Sequence, residues 1–126
     1  MIRCFPLVLV LFAFCGDPLE EPAVAKYREG LKADQLQGFD AYARNNCHGC
    51  HGLNGDGTGP LNAGHRYSIP DFRNADTFRN GSDVSSIQHS IEFGVKNGKT
   101  GMQAYQNIPV EKREKIAEYI HSLANP

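Results

Sequence analysis

The chain opens with an apolar run and continues as a polar segment that has no regular period. Residues 1–3 carry one positive charge, and residues 5–14 are almost wholly apolar. A charge followed by an apolar run of about 10 residues is typical of a secretory signal, whereas a membrane-spanning helix needs about 20. We therefore predict a signal peptide over residues 1–15. Because residues 16–33 are polar and aperiodic, we predict a flexible tether there.

Three later segments repeat apolar residues at helical spacing. The first predicted helix begins near Asp34, whose carboxylate would cap the first turn together with Gln37 three residues on. The second is expected from Ser82, as N-cap, to Gly94, and the third from Pro109 to about Ala124. The apolar stripes are Leu36, Phe39, Tyr42 and Ala43, then Val84, Ile87 and Ile91, then Ile116, Ala117, Ile120 and Leu123.

The pattern between these segments predicts loops rather than strands. No stretch alternates apolar and polar residues with the two-residue period of a strand, and residues 47–64 are dense in Gly and Asn. The fold class predicted for residues 34–126 is therefore all-α, with three or more short helices and long loops. Such short helices bury little apolar surface on their own, which indicates that a large apolar group fills the centre.

Composition narrows the class of protein. The 126 residues and 40% hydrophobic content fit one domain with a modest core. Thirteen Lys and Arg against fourteen Asp and Glu give a net charge of -1. A protein with this net charge lacks the broad positive field that nucleic-acid binding needs, so the choice of partner must depend on local charged or apolar surface patches.

Cys15 ends the apolar run, and this resembles a bacterial lipoprotein signal, in which such a Cys becomes the lipidated N-terminus. Phe14 departs from that pattern, which prefers a small residue there. Ordinary signal cleavage nearby, with Ala13 as the small residue, is the alternative. Two acyl chains would anchor the protein stably on a membrane surface. Either route places the mature protein in the periplasm or cell envelope.

The candidate chemistry lies in Cys47-His48-Gly49-Cys50-His51, a C-x-x-C-H sequence typical of c-type haem attachment. Each thiol can add across one haem vinyl group, and the histidine is placed to ligate the iron. Zinc is an alternative, but a structural zinc site usually adds a second Cys or His pair. A redox-active disulfide would be expected beside a βαβ pattern, and a structural disulfide would leave His51 unexplained.

Beside the motif, four stretches of the chain share a pattern with one known family. These are Gly38-Phe39 with Tyr42, Cys50 to Pro60, Gly101 to Tyr105, and Tyr119 to Leu123. Through them, residues 34–124 resemble a single-haem class I cytochrome c domain. In that family the first and last helices cross beside the haem, so the resemblance implies that Gly38 and Phe39 meet Tyr119 and Ile120. The fold implied is the cytochrome c fold around one covalently bound haem.

The same resemblance implies a set of cofactor-binding residues. Haem c would be attached through Cys47 and Cys50, with His51 and Met102 as the two iron ligands and the carbonyl of Pro60 accepting the second imidazole N–H of His51. Gln103 stands where many relatives have Pro. Rival ligands are His65, His89 and His121, and candidates for binding the haem propionates are Arg66, Tyr67 and Arg73.

With both axial positions filled by protein, the iron has no place for substrate, so the implied function is an electron carrier and not an enzyme. The expected partners are redox proteins such as a membrane oxidase or reductase, steered to the haem edge by charges at Lys96, Lys99, Arg44 or Arg79. One alternative is a haem-based gas sensor or haem enzyme with an open sixth position, for which His65 or His89 could serve as distal group. Another is a cytochrome subunit of a larger oxidoreductase.

Overall fold

The computed structural model describes residues 16–96 and 101–126, and over these residues it is helical without strands. This confirms the all-α prediction. The predicted signal peptide and Lys99 lie outside the described residues. The α-helices are α1 (Pro22–Glu29), α2 (Leu36–Arg44), α3 (His48–His51), α4 (Val84–Phe93) and α5 (Val110–Ala124), and 3-10 helices occur at Pro18–Glu20, Pro60–Asn62 and Ala75–Thr77.

The core is built where α2 crosses α5. Phe39 and Tyr42 of α2 are fully buried, and their rings pack edge-on against Tyr119 of α5 with centroids 5.6 and 5.4 Å away. Gly38 makes the close approach possible, because a Cβ atom there would overlap the Lys115 carbonyl oxygen and lie 2.5 Å from the Tyr119 Cβ. The crossing implied by the family resemblance is thus confirmed.

Two helices have their N-caps one residue after the predicted ones. Asp34 does not cap α2; the N-cap is Gln35, whose side-chain amide donates to the Ser122 hydroxyl at 2.9 Å. For α4 the N-cap is Asp83, which accepts from the Ser86 amide at 2.9 Å. Ser82, the predicted cap, instead presents its carbonyl to His121. Contacts with α5 therefore help to set where both helices begin.

The prediction of a flexible tether over residues 16–33 is corrected by the structure. This segment folds as the 3-10 helix Pro18–Glu20 followed by α1, and Val24 of α1 is only 1% exposed. Arg28 binds Asp40 of α2 through two hydrogen bonds of 2.6 and 2.8 Å. An eight-residue helix with one buried side chain has no apolar period that a sequence pattern could reveal.

Because Val24 packs into the core, Val24→Ala is expected to lower the free energy of unfolding by about 1–3 kcal/mol. Chemical denaturation would measure the loss. Lys26→Ala, on the exposed side of the same helix, is the matched control and should change stability by less than about 0.5 kcal/mol. Equal, negligible effects of both substitutions would show that α1 does not belong to the folded domain.

No helix in the described part of the chain is both long enough and apolar enough to cross a membrane.

Candidate functional site

The C-x-x-C-H motif forms a single helical turn, α3, directly after α2. The Cys47 carbonyl accepts from the His51 amide at 3.0 Å, and the His48 carbonyl accepts from the Gly52 amide at 2.9 Å. Residues three and four apart share a face of a helix, so this turn groups Cys47, Cys50 and His51. The predicted loop over residues 47–64 is thus corrected at this turn and at the 3-10 helix Pro60–Asn62.

The chain that follows the motif folds back and fixes the turn. The Gly57 amide donates to the His51 carbonyl at 2.8 Å, and the Gly59 amide donates to the Cys50 carbonyl at 3.1 Å. Tyr42 adds a buried hydrogen bond of 2.7 Å from its hydroxyl to the Gly52 carbonyl. A Cβ atom at residue 59 would overlap the carbonyl oxygens of this turn, so only glycine permits the loop to lie so close.

His51 is held as a neutral imidazole. Its ring stacks on Phe72 with centroids 4.6 Å apart and an angle of 19° between the planes. Burial lowers the pKa of His51 to about 4, so the ring carries no proton charge at neutral pH. Its Nδ1 is buried and has no hydrogen-bond partner in the described residues. Such an orphaned nitrogen is uncommon in a folded protein and fits an imidazole whose partner is a bound group.

Pro60, predicted to accept a hydrogen bond from His51, begins the 3-10 helix beside α3. In the structure its carbonyl accepts from the Ala63 amide at 3.3 Å. His51 Nδ1 makes no hydrogen bond within the described residues, so its bond to the Pro60 carbonyl stays a prediction, and Gly59 brings the segment against the motif.

The two motif cysteines are both free thiols, which fits the thioether chemistry of haem attachment. Burial raises the pKa of Cys47 to about 12, so the thiol stays protonated at neutral pH. Neither disulfide alternative is formed. Within the described residues no group of three or more His, Cys, Asp or Glu side chains could hold a metal ion.

Met102 lies in the segment that joins α4 to α5. Its carbonyl accepts from the Val95 amide at 2.9 Å, which makes an isolated antiparallel bridge. The Met102 side chain is half-buried and packs against the same core cluster as Cys47. Met102 and the attachment motif therefore pack against the same hydrophobic core.

The three rival histidines have other surroundings. His121 places Nδ1 2.8 Å from the Ser82 carbonyl oxygen, so that nitrogen already has a partner. The exposed His89 ring packs on Phe93 with centroids 4.7 Å apart. His65 is exposed in a turn, at a positive φ of 54°.

Two of the charged residues predicted to bind propionates or partners already form ion pairs. Arg73 makes a two-point contact with Asp71, with its shorter distance 2.7 Å. Arg44 binds Asp17 in the same manner at 2.8 Å. Arg66, Arg79 and Lys96 are exposed, and Tyr67 is half-buried.

Two polar residues, Asn62 and Arg113, are buried although the sequence pattern did not predict it. Asn62, 4% exposed, closes the loop after the motif through a bond of 2.9 Å to the Gly57 carbonyl and another of 2.9 Å from the Tyr67 amide. Nothing in the sequence separates it from the other loop asparagines. Arg113, 5% exposed, did leave a signal, because it lies three residues before Ile116 on the apolar stripe of α5.

The family whose model matches this chain is described as cytochrome C oxidase, cbb3-type, subunit III. The match covers residues 33–120, more than half of the chain, and contains the motif, Pro60 and Met102. A comparison with curated proteins gave no match.

Proposed function

Because the chain belongs to the family of c-type cytochrome domains described as cytochrome C oxidase, cbb3-type, subunit III, we propose that it passes single electrons between redox proteins of the cell envelope. A c-type cytochrome domain is an electron-transfer haem domain. The observation that carries the proposal for this chain is α3, which groups two free thiols with a neutral, unpartnered imidazole.

In this proposal one haem c is held by thioether bonds to Cys47 and Cys50. His51 and Met102 serve as the two iron ligands, and the carbonyl of Pro60 orients the His51 ring. When bound, the haem supplies a reversible one-electron couple, and a thioether ligand favours its ferrous form. The hydrogen bonds of Tyr42, Gly57 and Gly59 hold the turn rigid, so that little protein has to move when an electron arrives.

A partner would approach at the exposed surface beside α3. Leu61, in the 3-10 helix that packs on the motif, is 59% exposed, and Pro60 next to it is exposed as well. A small apolar patch next to the redox group suits brief contacts between redox proteins. Since Arg44 is paired with Asp17, Lys96 and Arg79 are the steering charges that remain among the described candidates.

The description of the matching family favours a second candidate role, as the cytochrome subunit of an oxidase complex. Affinity purification from membranes would distinguish the two roles. Recovery in stoichiometric amounts with oxidase subunits indicates a resident subunit, whereas recovery without other subunits indicates a free carrier.

Mass measurement of the mature chain would show whether Cys15 is lipidated or removed with the signal peptide.

Met102→Ala is expected to open the iron to carbon monoxide. The reduced wild-type protein should show c-type absorption bands that carbon monoxide leaves unchanged, because both axial positions are taken. The variant should form the carbon monoxide complex almost completely and should have a lower reduction potential, since the ligand that favours ferrous iron is gone. Optical spectra of the reduced protein with and without the gas measure the first effect.

The controls are His89→Ala and His121→Ala, which remove rival ligands and should leave the spectrum insensitive to carbon monoxide. A shift of the wild-type spectrum on adding carbon monoxide would contradict the carrier proposal and favour the gas-sensor or enzyme alternative. If the spectrum of reduced Met102→Ala is also unchanged by carbon monoxide, Met102 is not the ligand.

A further inference from the structure

Arg113 is a buried charge that the proposed electron transfer does not use directly. It projects from α5 with 5% of its surface exposed. Its Nη1 donates to the Ile108 carbonyl at 2.7 Å and, more weakly, to the Gln106 carbonyl at 3.4 Å. Its Nη2 lies 3.2 Å from the Glu92 carboxylate of α4. One guanidinium therefore joins the segment before α5 to the last turn of α4.

An apolar side chain at this position would fill the core with less desolvation. Buried ion pairs seldom stabilise a fold more than apolar residues of similar volume, because burial removes water from both charges. Glu92 is half-buried and would tolerate the loss of its partner better than a fully buried acid would. The property that only arginine supplies is a planar fork of donors, which holds backbone carbonyls in fixed positions.

The carbonyls that Arg113 holds belong to the segment that carries Met102. Further along this segment, the Tyr105 amide donates to the Ile91 carbonyl at 2.9 Å, and the Ile108 amide donates to the Tyr105 carbonyl at 3.2 Å. The segment is thus tied to Ile91 of α4, to Val95 just after that helix, and to α5 through Arg113. Without the guanidinium, Pro109 would still accept from the Lys112 and Arg113 amides of α5, but the carbonyls of residues 106 and 108 would lose the donors that Arg113 supplies.

We propose that Arg113 is a positioning residue for Met102: by fixing the carbonyls of residues 106 and 108, it holds the thioether at the iron. This inference rests on the proposed function, in which Met102 is the second ligand. Its consequence is that loss of the fork frees the segment, and the iron spends part of its time without the sulfur ligand.

The test uses the full, haem-loaded protein and the variant Arg113→Met, which keeps most of the volume and removes every donor. At subsaturating carbon monoxide, the fraction of reduced protein in the carbon monoxide complex should rise about 10-fold or more over wild type. The reduction potential should fall. Arg113→Lys, which retains one charged donor, should lie between Arg113→Met and wild type on both measurements.

Val24→Ala is the matched control, because it lowers stability from α1, which packs on α2 and on the 3-10 helix Pro18–Glu20. It should leave carbon monoxide binding and the reduction potential at wild-type values. An Arg113→Met protein that is less stable but has wild-type carbon monoxide binding and potential would overturn the proposal and leave Arg113 a purely structural residue. If Arg113→Met does not fold, the same two measurements are made on Arg113→Lys, for which unchanged values overturn the proposal.

The failure of the proposed function would look different. Carbon monoxide binding by the wild-type protein would show that Met102 does not close the iron, which removes the basis of both proposals. If the wild-type protein does not bind carbon monoxide and Arg113→Met has the same carbon monoxide binding and reduction potential as wild type, only the role proposed for Arg113 is contradicted.

Discussion

The double variant Cys47→Ser, Cys50→Ser is expected to lose covalent haem completely. Serine hydroxyls do not form thioether bonds with haem vinyl groups, and these two thiols are the ones that α3 groups with His51. Haem staining after denaturing electrophoresis should give a full signal for wild type, a reduced signal for each single variant and none for the double variant. The fold should also lose much of its stability, because the chain has few helices with which to build a core.

His48→Ala is the control for this experiment, because it changes the motif at a position that the attachment chemistry does not need. It should retain the haem at wild-type level. Haem that stays on the double variant through denaturation would show that attachment occurs elsewhere and would contradict the role assigned to α3.

Gly38→Ala is expected to lower the free energy of unfolding by about 3 kcal/mol or more. In an open helix the same change would stabilise by up to about 1 kcal/mol, because alanine is the better helix former. Here the added methyl group would meet the backbone of α5 at Lys115 and lie 2.5 Å from Tyr119 Cβ, so the two helices would have to separate. Separation exposes the ring cluster of Phe39, Tyr42 and Tyr119.

Gly30→Ala provides the opposite expectation. Gly30 has a right-handed φ of -85°, and the nearest neighbour of an added Cβ atom is the Tyr27 carbonyl oxygen at 3.5 Å, an ordinary contact. This substitution should stabilise by about 0.4–1 kcal/mol, because it restricts the unfolded chain. Denaturation curves of the two variants should move in opposite directions, and a shared direction would show that α2 and α5 are less tightly packed at their crossing than these distances imply.

Features that depend on neighbours in the chain were accessible from the sequence. The attachment motif is five contiguous residues, and α4 and α5 bury single stripes, so residue type and spacing are sufficient to find them. The end of α4 at Gly94 was found for the same reason. Met102 was named only through family resemblance, since a lone methionine has no local pattern that separates a ligand from a core residue.

Features decided by distant partners were not accessible. The start of α2 depends on a bond from Gln35 to Ser122, 87 residues away, which outweighs the local capping signal of Asp34. Helix α1 is held by Val24 and by the ion pair of Arg28 with Asp40, and neither contact produces a regular spacing of apolar residues in the sequence. The neutral state of His51 depends on burial in the folded chain, which spacing alone does not reveal.

The docking of residues 17–29 onto the domain sets how far the protein could reach from an anchor. A disordered segment of residues 16–33 would let the domain wander by a root-mean-square distance of about 21–25 Å. Instead Asp17 is bound to Arg44, and Gly16 lines the same surface cavity as Asn46 and His48. If Cys15 carries a lipid, only Gly16 lies between it in the sequence and the docked residue Asp17. A protein on so short a tether would meet its partners by lateral diffusion along the membrane, and membrane-bound partners would be selected over soluble ones.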